Sequence, residues 1–276
     1  MDRMNIWFVR NARWILGGCG GVVGAIVSQL NPVEGESWLG VVFETVLWFG
    51  ISMALVSLAL VWGVGIYQRR FKFPRELAVN MLIGGGLAGG VGGGVAQAVF
   101  GSISFESLLS VQLFKASCWG LAGGIVGALF CKVVPNMTSV RGAVGGALGG
   151  SVGGALFVSL GELLPLVGGH IVGIGVLGAS MGLALSLADR LYRKAWLEVV
   201  WAPSETTTVA LGEQPVRIGG GDDHVFIYSL PAGAMKIVIE GGEIVLIRAP
   251  GERKTILKDG SSIAVDGIKI GVHTKS

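Results

Sequence analysis

Gly142, Gly146, Gly150 and Gly154 stand four residues apart on one apolar segment, with Gly145, Gly149 and Gly153 forming a second ladder beside them. Segment 84–94 repeats the arrangement with Gly85, Gly89, Gly93 and Gly86, Gly90, Gly94. A four-residue step keeps each ladder on one helix face, so each segment presents a stripe without side chains. In water such a helix is poor, because each interior glycine costs roughly 0.5–1 kcal/mol relative to alanine. In lipid an unpaired backbone group has no solvent to turn to, and the helix is enforced. The bare stripes then let two backbones approach closely, the small-residue packing of bilayers. The ladders therefore predict membrane helices and tight contacts, with Gly85, Gly89, Gly93 and Gly142–Gly154 as packing positions.

Composition agrees. Only 14% of the 276 residues are charged, against about 25% in an ordinary soluble chain. Charge becomes frequent only after Asp189. We therefore expect a membrane body over 1–190, a linker over 191–197 and a water-soluble domain over 198–276. Cys19, Cys118 and Cys131 lie in apolar segments without paired spacing, which implies small buried side chains rather than a disulfide or metal framework. A net charge of +3 gives no reason to expect a nucleic-acid partner.

Six spans are expected, each near the ~20 apolar residues that cross a bilayer: 13–30, 38–67, 77–99, 116–134, 142–161 and 166–188. The second would extend roughly 45 Å at the helical rise, so it should tilt or protrude. Leu16-Gly17-Gly18-Cys19 loosely resembles a cleavage box, but Arg13 lies too close before it to leave an apolar signal core, and an uncleaved first helix is preferred. With six spans, Arg3, Arg10, Arg13, Arg69, Arg70, Lys72, Arg75, Lys132, Arg141, Arg190, Arg193 and Lys194 all fall on one side, while Lys115, Glu34, Glu36, Glu106 and Glu162 fall on the other. The positive-inside rule then places both termini in the cytoplasm. Arg13, Arg75 and Arg141 each open a glycine-laddered span followed by an outer loop and a returning helix, which suggests three related hairpins. Residues 104–115 read as a short interfacial helix capped by Ser104.

After Lys194 the pattern changes to period two. Short strands are expected at 198–201, 206–211, 215–218, 224–228, 235–240, 243–248, 255–257, 262–265 and 268–273, with tight turns at Gly241-Gly242, Asp259-Gly260 and Asp266-Gly267. That spacing predicts a small all-β sandwich. Val216-Arg217-Ile218-Gly219-Gly220, His224–Ile227 and Leu257-Lys258-Asp259-Gly260-Ser261-Ser262-Ile263 together resemble the forkhead-associated (FHA) domain over about 205–273. That family's opening strand ends in Ile-Gly-Arg, and Leu-x-Asp-Gly-Asp-x-Ile precedes its last strand. The resemblance implies a sandwich that docks protein partners, in the family through phosphothreonine. Gly220 stands where the family has its arginine, and Pro231–Met235 replaces its Ser-x-x-His segment. Without those groups the charge-assisted bonds to a phosphate are missing. The resemblance is thus to a degenerate FHA domain serving as an assembly surface, with Gly220, Asp222, Asp223 and His224 as the candidate docking loop.

Catalytic chemistry finds little support. Gly84–Gly89 matches G-x-G-x-x-G but follows no strand and lies mid-membrane. No Ser/His/Asp, Cys/His or paired-carboxylate set can be assembled on one side, so neither an enzyme nor a cofactor is expected. Glu44 is the one carboxylate well inside an apolar run, and intramembrane ionisable groups are functional candidates by default. Glu106 and Glu162 add to an outer acidic rim, and His170 sits across a turn from Glu162, where a proton-responsive pair would fit. Asn136-Met137-Thr138 matches a glycosylation site on the cytoplasmic side and reads as inert.

Two functional readings follow. The first is a bacterial-type inner-membrane scaffold or signalling protein in the lipid bilayer, with homo-oligomers in prospect, docking a cytoplasmic protein through its sandwich. The second is a channel or transporter, with Glu44 and the rim attracting cations and Asn80, Gln97, Ser52, Ser57 and Ser151 as the polar residues available to line a path.

Overall fold

The computed structural model describes residues 3–30, 37–70, 75–164, 166–203, 205–251 and 253–275. Six helices come first: α1 (Arg3–Ser28), α2 (Trp38–Tyr67), α3 (Arg75–Phe100), α4 (Leu108–Phe130), α5 (Ser139–Leu163) and α6 (Leu166–Tyr192). Five of them, α2 to α6, are long and apolar enough to cross a membrane. The exception is α1, which carries Arg3, Arg10 and Arg13 within its length. Its glycines nevertheless bed it against α2 and α6: a Cβ added at Gly24 would lie 3.0 Å from Ser52 Cα, and one at Gly21 would lie 3.0 Å from Gly175 Cα.

Each helix packs on its neighbours in sequence, and α1 closes against α6, so the six form a ring. Bulky side chains fill it, mostly from α2, α4 and α6: Met53, Leu60, Trp119, Val126, Leu177 and Met181 are all at most 2% exposed. The odd-numbered helices contribute the bare surfaces that admit them. On α5 the Gly142 ladder meets Gly127, Gly123 and Trp119 of α4, while the Gly145 ladder meets Ala188, Met181 and Leu177 of α6. On α1, Gly17 and Gly21 face α6, while Gly20 and Gly24 face α2. α3 departs from this pattern. Both of its ladders, including Gly85, Gly89 and Gly93, face α2, leaving Gly84 and Gly92 to meet Leu129 and Ala122 of α4. The α3–α4 seam is correspondingly the thinnest in the ring.

Two local expectations are corrected. Residues 104–115 form no separate interfacial helix: α4 runs unbroken from Leu108, capped by Ser107, whose hydroxyl accepts from Ser110 N while the Ser110 hydroxyl receives Ser107 N. Lys115 is accommodated inside that helix with its ammonium 5.2 Å from the centre of the Phe100 ring. The expected linker over 191–197 is also too long, because α6 continues to Tyr192 and a strand begins at Ala195.

Nine strands follow: β1 (Ala195–Ala202), β2 (Glu205–Leu211), β3 (Val216–Gly219), β4 (Val225–Phe226), β5 (Met235–Glu240), β6 (Glu243–Arg248), β7 (Arg253–Leu257), β8 (Ser262–Val265) and β9 (Ile268–Thr274). They form two sheets, ordered β2-β1-β9-β8 and β4-β3-β5-β6-β7. Alternation turns Leu197, Val199, Ile218, Ile237, Ile270 and Val272 inward, each at 0% exposure. Gly241 and Gly242 both have positive φ, at 59° and 88°, as the two-residue turn between β5 and β6 requires.

Candidate functional site

The end of α2 joins the bundle to the sandwich. After Gln68 the chain turns sharply: Arg70 N reaches Gly65 O at 2.8 Å, and Arg69 adopts φ 55°. Glycine normally takes that left-handed position at a helix end, and a side chain there costs roughly 1–2 kcal/mol. The turn aims both arginines at the sandwich. Arg69 Nε donates to Glu205 Oε1 at 2.9 Å, against a carboxylate side chain only 3% exposed. Arg70 donates to Asp222 O at 2.8 Å. One turn earlier, the Tyr67 hydroxyl accepts from Thr208 N at 3.1 Å and shares a 2.9 Å hydrogen bond with its side-chain oxygen.

A second tie comes from the α4–α5 connection. Asn136, at φ 58°, donates to Ala210 O and Gln214 O, both at 3.1 Å, and accepts from Gln214 N at 3.0 Å. Inside the bundle end, Arg13 Nη1 meets Asp189 Oδ2 at 3.0 Å, both side chains 7% exposed, and its guanidinium lies 4.7 Å from the Tyr67 ring centre. Arg193 approaches the same carboxylate at 3.7 Å. Tyr67 thus touches both the buried Arg13–Asp189–Arg193 cluster and β2, making one continuous polar junction across α1, α2, α6 and the sandwich.

The loop expected to dock a partner, Gly220–His224, belongs to this junction. Asp223 is buried, accepts from Gly233 N at 2.6 Å and faces Arg217 at 3.5 Å. Gly220 is buried and donates to Pro231 O at 3.2 Å. Asp222 gives its carbonyl to Arg70. His224 Nδ1 accepts from Arg217 N at 3.1 Å, which requires an unprotonated nitrogen there. Burial, reinforced by Arg70 and Arg217, pushes its pKa down to about 4. Between pH 4 and 6.5 the unfolded ring binds a proton that the folded one refuses, so stability rises with pH across that window. The benefit is complete above about pH 6.5 and is lost as pH falls through 4. We expect the apparent Tm to fall on acidification through this range, and the slope to flatten in His224→Asn, which keeps an acceptor but cannot titrate. An unchanged slope would assign the acid sensitivity elsewhere.

At the opposite end of the ring lies a cavity of about 520 Å³ lined by residues of all six helices. Glu44, Thr45, Gln97, Lys115 and His170 contribute polar groups to its lining. Its aromatic wall is continuous: Phe49 stacks on Trp119 with centroids 4.2 Å apart, and His170 lies 5.2 Å from Trp48 and 5.9 Å from Phe157. Glu44 and His170 are therefore brought together in one cavity lining. Glu106 is exposed in the α3–α4 connection, outside that lining. The Glu162 side chain, and with it the expected pair with His170, lies outside the described residues, as do Glu34, Glu36 and Lys72.

The polar residues considered for a pore are dispersed. Ser52 lies in the α1–α2 seam, Ser57 in the α2–α3 seam with its hydroxyl donating to Met53 O at 2.7 Å, and Ser151 in the α4–α5 seam. Gln97 lines the far cavity, and Asn80 a cleft at the junction.

No known protein family, curated protein or solved structure matches this chain. Its junction residues must therefore speak through geometry. Several escaped sequence reasoning: Asp189, Tyr67 and Glu205 are isolated polar residues far apart in the chain, and Asn136 was discounted as an inert glycosylation match. The one local hint was the Asp189/Arg193 spacing, one helical turn at a helix end.

Proposed function

We propose that this is a six-span membrane scaffold of bacterial inner-membrane type, both termini cytoplasmic, that holds a degenerate FHA-like sandwich for a cytoplasmic protein partner. The polar junction carries this reading: a domain tied to its membrane anchor by Arg69, Arg70, Tyr67 and Asn136 presents its remaining surface at a fixed attitude. The FHA-like reading is supported by Ile218-Gly219 closing β3 and by Asp259-Gly260 in the turn before β8. The loop at the end of β3 is folded onto Pro231 and Gly233, gives a carbonyl to Arg70 and contains no arginine of its own where the FHA family has one. Docking falls instead to uncovered apolar residues such as Tyr228, 92% exposed, and Ile256, 58% exposed. Clustering of the basic residues at the sandwich end of the bundle supports the orientation.

Truncation after Tyr192 should leave a bundle that still inserts but abolish the cellular phenotype of a full deletion. A truncated chain that restores the phenotype would overturn the scaffold reading.

The cavity at the far end of the ring favours a second reading, a transporter or receptor for a small ligand, because it places the Glu44 carboxylate in one lining with an aromatic wall. The apolar filling of the ring weighs against a continuous path. Ion flux into liposomes that Glu44→Gln abolishes would decide for it.

A further inference from the structure

Between the bundle and the sandwich, on the side away from α1, lies a cleft of about 1080 Å³. Its membrane-side walls are the first turns of α3 and α5 and the last turns of α6; its roof is the β2–β3 connection with Arg217 and His224. The lining includes six cations, Arg70, Lys132, Arg141, Arg193, Lys194 and Arg217. Glu76, Glu213 and Asp189 also line it, Asp189 being engaged by Arg13 and Arg193, while Asp223 faces Arg217 and, with Asp222, acts on Arg70 from the adjacent loop. His224 is uncharged at neutral pH and adds no positive charge.

Three observations make this more than a basic surface. The Lys132 and Lys194 ammonium groups form no hydrogen bond or ion pair among the described residues, although each lines the cleft. Arg70 and Arg193 are largely buried, and burial pushes both pKa values below the usual guanidinium range despite Asp222 and Asp189 nearby. Asp189 is shared between Arg193 and Arg13, so an anion entering the cleft would offset the desolvation of Arg193. Finally, α5, a 25-residue helix capped by Thr138, begins at the wall, and its N-terminal dipole end favours negative charge.

We propose that this cleft binds a phosphate-bearing anion, first of all the headgroup of an acidic phospholipid in the leaflet on the sandwich side. Its floor lies at the ends of helices that are long enough to cross the membrane, which is headgroup depth, and cations between such helices attract anionic lipid. A soluble phosphorylated ligand would use the same groups from the aqueous side. A bound phosphate would bridge bundle residues (Lys132, Arg193) to a sandwich residue (Arg217), so occupancy would tighten the junction.

The test uses the full chain. Native mass spectrometry from mixed micelles should show phosphatidylglycerol retained over phosphatidylcholine. Lys132→Gln/Lys194→Gln should lower that retention roughly twenty-five-fold, about five-fold per cation, whereas Lys269→Gln, a cation outside the cleft, should not. In phosphatidylcholine alone, inorganic pyrophosphate should raise the apparent Tm only if the site also accepts soluble phosphate. Variant-sensitive lipid retention assigns the headgroup, and variant-sensitive stabilisation by pyrophosphate without lipid preference assigns a soluble ligand. If neither probe distinguishes the double variant from Lys269→Gln, with all chains folded by circular dichroism, the proposal is wrong.

Discussion

Gly149→Leu should leave little folded protein, while Leu148→Ala, one residue away, should be nearly silent. A first side-chain carbon at Gly149 would lie 2.7 Å from Met181 Cα and 2.8 Å from Ser180 O, so the backbone of α6 itself would have to move. Overpacking against movable side chains costs roughly 1–3 kcal/mol. Displacing a helix that also holds Asp189 and closes the ring against α1 should exceed that, lowering the apparent Tm by more than about 10 °C. Leu148 is 61% exposed on the outer face, where a shorter side chain trades contact with lipid tails as apolar as itself. Gly89→Leu should behave like Gly149→Leu, since its new side chain would run into Met53 at 2.6 Å. Fluorescence-detected size exclusion and thermal unfolding in detergent measure both. Equal losses from Gly149→Leu and Leu148→Ala would show that the ladders are not contact surfaces.

The second large effect is expected at the junction. Asp189→Ala removes the carboxylate that Arg13 and Arg193 share, leaving two nearly buried guanidiniums beside each other. Breaking one side of a buried pair typically costs about 3–5 kcal/mol, because the remaining charge is left without compensation. The damage should spread, since Arg13 also lies over Tyr67, whose hydroxyl holds β2. We expect reduced thermal stability together with faster proteolysis between bundle and sandwich. The further substitution Arg13→Met should restore part of the loss by removing one unpaired charge. If Arg13→Met/Asp189→Ala is as unstable as Asp189→Ala alone, the cluster is not acting as an ion pair.

The elements visible in advance were those specified by local chemistry. Apolar runs of membrane length located the helices, and paired glycines such as Gly241-Gly242 fixed the turns of the sandwich to within a residue or two. Errors arose where a distant contact overrode a local signal. Lys115 looked like a boundary charge, yet Phe100 from the preceding helix lets it sit inside α4. The candidate site was harder to read. Asp189 and Arg13 meet only because the ring closes, and Glu205 finds Arg69 only because a non-glycine residue takes a left-handed turn. Both glycine stripes of α3 were visible, but not that they would face the same partner, which thins the α3–α4 seam.

Closure of α1 on α6 also dictates an order of events during synthesis. The face of α1 that carries Gly17 and Gly21 meets Ile174, Gly175 and Gly178 of α6, which leave the ribosome more than a hundred residues later, with Leu60 of α2 also reaching Gly17. Until then the nascent bundle is an open arc, with α6 missing from that stripe and Asp189 missing from Arg13. The ring therefore snaps shut last, and the same step that brings Asp189 to Arg13 positions the emerging sandwich. A chain stalled before α6 would lack both the helix that covers this stripe and the carboxylate that pairs with Arg13.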